Sequence, residues 1–154
     1  LSIHPSDVEP YGPSVDAILE AQMIIIGPGS LYTSILPNLC VPGISEALNE
    51  STAQKVYVCN VATQEGETSG YSVADHLEAI QRHTSNSLID FVIANSDVNS
   101  DQTKSPAHPV INDERPLVNA VMERSDLVDP DYPLRHDPKR LAEAIISLYD
   151  RSVN

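Results

Sequence analysis

Two loops carry most of the side chains able to do chemistry in this 154-residue chain. The first, Gly27-Pro28-Gly29-Ser30-Leu31-Tyr32-Thr33-Ser34, follows an apolar run and leads into a helical pattern. Free N–H groups at the start of a helix, together with its partial positive charge, attract phosphate or carboxylate. Ser30, Thr33 and Ser34 add hydroxyl donors. No Gly-Lys-Ser/Thr follows, so this is not a Walker A loop, and Tyr32 takes the place of the third glycine in a G-x-G-x-x-G fingerprint. The second loop, Asn60 to Tyr71, is dense in hydrogen-bonding groups. Asn60, Thr63, Gln64 and Thr68 could read a sugar or base through paired donors and acceptors. Glu67 could accept from ligand hydroxyls or help hold a divalent cation such as magnesium, which prefers oxygen ligands. For any one of these residues a solvated loop with self-capping hydroxyls is the simpler explanation. Four of the six glycines, however, fall in the two loops (Gly27, Gly29, Gly66 and Gly70). Glycine gathers where backbone bends sharply or approaches a ligand, which makes a binding site the stronger reading.

The loops share one deficit. Neither 27–38 nor 60–75 contains a lysine or arginine. A bound pyrophosphate would therefore need backbone amides, a divalent metal or residues from elsewhere to meet its charge. Other reactive types suggest less. Cys40 and Cys59 sit in apolar surroundings without metal-ligand spacing, and read as buried thiols rather than as a disulfide or a zinc site. His76 and His83 lie about two helical turns apart, a spacing better suited to packing or surface placement than to a metal pair. Asp75 reads as a helix cap. No catalytic nucleophile and no metal-ligand set is assigned.

The elements that must position these loops alternate. Met23–Ile26 is a continuous apolar run, as is Val56–Cys59, and Leu88–Ala94, largely apolar around Asp90, reads as a third strand. Such runs suit strands of a parallel sheet buried on both faces. Helical patterns intervene: one opening at Pro13-Ser14 with Ser14 as cap, one after the first loop that Pro42-Gly43 breaks, and a piece around Ile44–Leu48. Another starts at Ser72, whose pairing with Asp75 has the form of a capping box. From Ser96 to His136 five prolines weaken the pattern, and short edge strands are expected near Pro109–Ile111 and Asp126–Val128. Asp137-Pro138 restarts a helix whose stripe is Leu141, Ala144, Ile145, Leu148 and Tyr149. The expected fold is α/β, a Rossmann-like parallel sheet with helices on both faces. Residues 1–154 read as one such domain or as the C-terminal part of a larger one. Ligands of open parallel sheets bind beyond the carboxyl ends of the strands, where both loops would lie.

With 22 acidic and 9 basic side chains the chain carries a formal charge of −13. Nucleic acid and anionic membrane are poor partners for it. No apolar run approaches the roughly 20 residues needed to cross a bilayer.

The segments AQMIIIGPGSLYTSILPNL, VYVCN, TQEGET, GYSVADHLEAI and RHDP (from residues 21, 56, 63, 70 and 135) resemble the YvcK/CofD-like family, C-terminal portion. The GPGSLYTS wording is closer to its gluconeogenesis-factor branch than to its 2-phospho-L-lactate transferase branch. Gln22 stands where the family often has Asp, and Ala62 and Glu65 where it commonly has Met and Pro. The family's N-terminal glycine-rich nucleotide loop has no counterpart in this sequence. The resemblance implies a cytoplasmic, non-catalytic protein that binds a UDP-sugar or a related phosphorylated metabolite and influences gluconeogenic growth and cell shape, with a homo-oligomer compatible. In the other branch it implies a metal-dependent transfer of a phospholactyl group from a nucleotide-linked donor. A scaffold domain whose loops have lost their ligand is the third reading. For binding, the residues expected to line the site are Gly27, Gly29, Ser30, Thr33, Ser34, Asn60, Thr63, Gln64, Glu67 and Thr68.

Overall fold

A proline in the first turn of a helix removes an N–H that has no partner there anyway, and four of the helices begin in this way. The computed structural model describes residues 1–96, 107–112 and 115–153. Helix α1 (Gly12–Glu20) has Pro13 in its first turn and is capped from Tyr11, not Ser14. After strand β1 (Met23–Ile26) the chain makes a wide π turn over Leu31–Ile35, which runs directly into α2 (Leu36–Leu39). The break expected at Pro42-Gly43 falls just before it, where Val41, preceding the proline, is extended, and the pair itself forms the first turn of α3 (Pro42–Glu50). Gly43 is needed there because a Cβ would collide with the Pro10 ring packed against it. Then follow β2 (Gln54–Val58), α4 (Val73–His83), β3 (Phe91–Asn95), β4 (Val121–Ser125) and α5 (Pro138–Val153).

The four strands form one parallel sheet in the order β1-β2-β3-β4. Right-handed crossovers that always step the same way put their connecting helices on a single face. The packing agrees. Ile26, Tyr57, Val92 and Ala94 join Leu31, Leu36, Leu48, Leu77 and Ile80 in the larger core, under α2, α3 and α4. The alternate residues Val56 and Ile93 face the other way and meet Leu148, with Leu141, Ala144 and Ile145 of α5 beside them. Helices thus cover both faces, one of them, among the described residues, with α5 alone. That helix is tied at its far end by Tyr149 Oη donating to Gln22 Oε1 and by Arg151 pairing with Glu123 at 2.9 Å.

The fourth strand lies just before the expected Asp126–Val128 segment. Around 109–111 and at 128 there are single bridging pairs only, Ala62 with Pro109, Ser72 with Ile111 and Val128 with His136. The strand itself, Val-Met-Glu-Arg-Ser, pairs with β3 from Phe91–Val121 to Asn95–Ser125. Its charged residues reflect an edge position, where burial is partial and hydrophobic alternation weak. Pro106, within the proline-rich stretch, lies outside the described residues.

Leu148 is the α5 side chain most fully buried against the sheet, at 3% exposure. Leu148→Ala is expected to cost about 2–5 kcal/mol. A urea titration should show the midpoint falling, with the slope unchanged.

Candidate functional site

Parallel pairing places the carboxyl ends of β1, β2 and β3 on one rim, so the loops after β1 and β2 emerge side by side. The chain turns off β1 at Gly27, where φ is +89° and a Cβ would stand 3.0 Å from the carbonyl oxygen of Val58. Only glycine takes that backbone so close to the neighbouring strand. Three contacts then join the loops. Asn60 Nδ2 donates to the Gly29 carbonyl at 2.9 Å. Ser30 Oγ donates to the Glu67 carboxylate, 2.6 and 2.7 Å from its two oxygens. Behind them, the Tyr32 and Tyr71 hydroxyls bond at 2.9 Å. Because the single Ser30 proton goes to Glu67, the Thr33 hydroxyl must be the donor in its own bond to Ser30 Oγ.

A cleft of about 360 Å³ opens between the loops. Gly29 and Ser30 form one wall and Asn60–Gln64 another, while Leu134, Arg135 and His136 close the third side. The ten residues expected to bind ligand therefore separate. Gly29, Ser30, Asn60, Thr63 and Gln64 line the cleft; Gly27 shapes its entry, and Glu67 and Thr33 reach it through Ser30. Ser34 lies in a neighbouring groove beside Ile25 and Asn38. Thr63 is only 4% exposed, and its hydroxyl donates to the His108 carbonyl and accepts from the His108 N–H, both at 3.1 Å. Thr68 is buried and accepts from the Gln64 N–H at 2.9 Å. Both hydroxyls thus serve the shape of the loop.

Arg135 and His136 are the cleft residues that local sequence reasoning did not place. Asp137 caps α5, accepting from the N–H groups of Lys139 and Arg140 at 2.8 and 3.0 Å, and its own N–H donates to the Leu127 carbonyl. This cap fixes the two residues before it at the rim. His136 Nε2 donates to the Cys59 carbonyl at 3.2 Å. Burial holds its pKa below the ordinary value, against that bond, so the ring is neutral near pH 7. The cation of the cleft is then Arg135, whose guanidinium lies 5.6 Å from the Tyr132 ring centroid. Among the described residues no carboxylate pairs with it. Other arginines are engaged, Arg115 by Asp75 and Glu78, and Arg140 by Asp126. The sequence signal was the absence of any lysine or arginine from both loops, which left residues from elsewhere as one of the ways to meet a bound anion's charge.

The remaining reactive types have structural places. Ser72 and Asp75 form both halves of the capping box, and hydrogen bonds from Ser72 and Arg115 draw the Asp75 pKa down despite its partial burial. His76 is fully buried, with Nδ1 on the Ser72 carbonyl and its ring edge-on to Tyr71. His83 is held elsewhere, by the Ala79 carbonyl and Tyr32. Cys59 is buried and Cys40 half-buried, both as free thiols. Burial pushes the Cys59 thiol up to about 12, which leaves it unreactive near neutral pH. Among the described residues no three His, Cys, Asp or Glu side chains cluster as a metal site. Glu67, with the hydroxyls of Ser30 and Thr33, is the oxygen-rich group nearest the cleft.

Burial lowers the pKa of His76 as well as that of His136. The folded state therefore binds fewer protons than the unfolded chain as pH falls past the usual imidazole value of about 6.5, and stability is present above that pH and lost below it. Urea midpoints at pH 7.5, 6.5 and 5.5 should decline in that order. His76→Gln, which retains a donor for the Ser72 carbonyl, should flatten the decline.

Comparison with known proteins gives a consistent set. Residues 1–127 match the family model described as 2-phospho-L-lactate transferase CofD. The gluconeogenesis factor of Halalkalibacterium halodurans is 46% identical over 150 residues, covering 92% of this chain and 47% of that protein. The gluconeogenesis factor of Bacillus subtilis strain 168 is 41% identical over 152 residues, with 94% and 48% covered. The crystal structure of protein BH3568 from Bacillus halodurans superposes with a TM-score of 0.86 at 44% identity, over 94% of this chain and 49% of that one. The chain spans about half the length of the curated relatives it matches.

Proposed function

The chain belongs to the family described as 2-phospho-L-lactate transferase CofD, and on that premise we propose that its cleft binds a nucleotide sugar, a UDP-sugar, in a regulatory and non-catalytic role tied to gluconeogenic growth and cell shape. One observation carries this reading: Gly29-Ser30, Asn60–Gln64 and Arg135 converge on a single cleft. Arg135 offers a planar, permanently charged fork for a diphosphate, and the backbone of Pro28–Ser30 lines the same cleft. Asn60 and the exposed Gln64 supply amides for the sugar or base. Relatives named gluconeogenesis factor support the physiological side. Free cysteines, one of them buried, suit a reducing cytoplasm.

Glu67, which reaches the cleft through Ser30, opposes an anion. A divalent cation such as magnesium would reconcile them, since magnesium is commonly held by one or two carboxylates together with the ligand's own phosphates. Glu67 fits that pattern, with Ser30 and Thr33 as neighbouring oxygen donors. Bound there, the ion would neutralise the carboxylate and the diphosphate together.

The second reading is a transferase acting on a nucleotide-linked phospholactyl donor. The description of the matching family and the carboxylate beside the cleft favour it. It requires turnover, so a product formed from donor and deazaflavin acceptor would select it over regulatory binding.

Calorimetric titration of the full-length protein with UDP-N-acetylglucosamine, with magnesium, at two temperatures tests the leading reading. Heat is expected at one temperature at least, and none at either rejects it. Arg135→Gln should weaken binding about tenfold or more, the scale of a lost charge-assisted hydrogen bond. The fold should be unaffected, since Arg135 is exposed.

A further inference from the structure

At the pole opposite the cleft, where β2 and β3 begin, lies a second cavity of about 430 Å³. Two opposite charges from neighbouring positions border it, Lys55 of β2 and Asp90 just before β3. They touch through the Lys55 backbone. The Asp90 N–H donates to the Lys55 carbonyl at 2.9 Å, and Asp90 Oδ2 accepts from the Lys55 N–H at 2.8 Å. Their side-chain charges do not pair. The Lys55 ammonium turns instead to the carbonyl of Ser51, the residue that ends α3, at 2.7 Å. That helix end carries partial negative charge and takes up one of the three ammonium protons. Lys55 is only 9% exposed, and among the described residues no carboxylate forms an ion pair with it. A charge buried so far is costly unless its remaining donors find partners. Asp90 has the converse deficit: Oδ2 is engaged, while no described group donates to Oδ1.

We propose that this cavity binds a free α-amino acid, with the ligand's carboxylate on Lys55 and its ammonium on Asp90. A simple anion there would face the Asp90 carboxylate, and a simple cation would face the Lys55 ammonium. A dipolar ligand answers both, because an α-amino acid holds its two charges on either side of one carbon. Charge-assisted hydrogen bonds at each end are the strong kind. The volume falls within the range of roughly 300–1,000 Å³ usual for small-molecule sites. Ala53 and Phe91 border the same cavity and give a short apolar side chain a place to rest. No residue borders both this cavity and the cleft. The two sites are therefore separate, and this one stands whether or not the cleft binds a nucleotide sugar.

The test is an NMR titration of the full-length protein that follows the backbone amides of Lys55 and Asp90. L-alanine is the probe, with acetate and methylammonium as its one-ended counterparts. L-alanine is expected to shift both amides saturably, at a half-saturating concentration about tenfold or more below that of either counterpart. Asp90→Asn keeps an acceptor for the Lys55 N–H and removes the charge. It should raise the half-saturating concentration of L-alanine about tenfold and leave that of acetate no higher. Lys55→Met should abolish the response to L-alanine and to acetate alike. No saturable shift with L-alanine overturns the proposal and leaves Lys55 as a cap on α3 alone. Acetate acting as strongly as L-alanine overturns it too, since the site would then take simple anions. So does an Asp90→Asn variant that binds L-alanine as well as the parent protein does.

Discussion

The parallel pairing of β2 between β1 and β3 is the constraint from which the site follows. Parallel strands send every carboxyl end to the same rim, and short connections then leave loops of adjacent strands no choice but to meet. Gly27 and Asn60 sit at equivalent exits, and the Asn60–Gly29 bond spans the gap between them. Had β1 and β2 run in opposite directions, Ser30 and Glu67 would lie at opposite ends of the sheet. The buried faces of β2 and β3 give this register its energy. Tyr57, Val92 and Ala94 serve one core while Val56 and Ile93 serve the other, so a one-residue slip would reverse every side chain.

Charge is spent unevenly on this scaffold. A molecule with 22 acidic residues against 9 basic ones generally finds a carboxylate for each arginine. Arg135 is instead laid against Tyr132 at the mouth of the cleft. Glu67 stands behind the cleft wall, holding the Ser30 hydroxyl. Arg135 thus lines the opening itself, while the carboxylate reaches it only through Ser30. His136, neutral beside Arg135, adds a donor already committed to Cys59 and leaves the charge balance alone.

Much of the fold was legible because the apolar runs are long and their punctuation is chemical. The strands expected from Met23, Val56 and Leu88 (the last beginning only at Phe91), the Ser72–Asp75 capping box and the Asp137-Pro138 start all follow from local rules. β4 was not legible, since Glu123 and Arg124 give it the look of a connection, and edge strands are only half-buried. Ser14 carried the right side chain for a cap, but Pro13 drew the helix start back to Gly12. At the site, residue type marked both loops, yet type alone does not tell a hydroxyl free for a ligand from one spent on the backbone, as at Thr63 and Thr68. Arg135 and His136 were visible as a motif before a helix. Their presence in the cleft depends on α5 returning across the sheet, a tertiary fact that no local pattern contains.

That return has a mechanical side. α5 has 16 residues, a rod of about 24 Å at 1.5 Å per residue. Its capped start carries the cleft's arginine, while Tyr149 and Arg151 grip Gln22 and Glu123 near its other end. Between those ends Leu141, Ala144, Ile145 and Leu148 seat the rod on the sheet. The arginine at the cleft mouth is therefore anchored by contacts spread along the whole length of the domain rather than by its own loop.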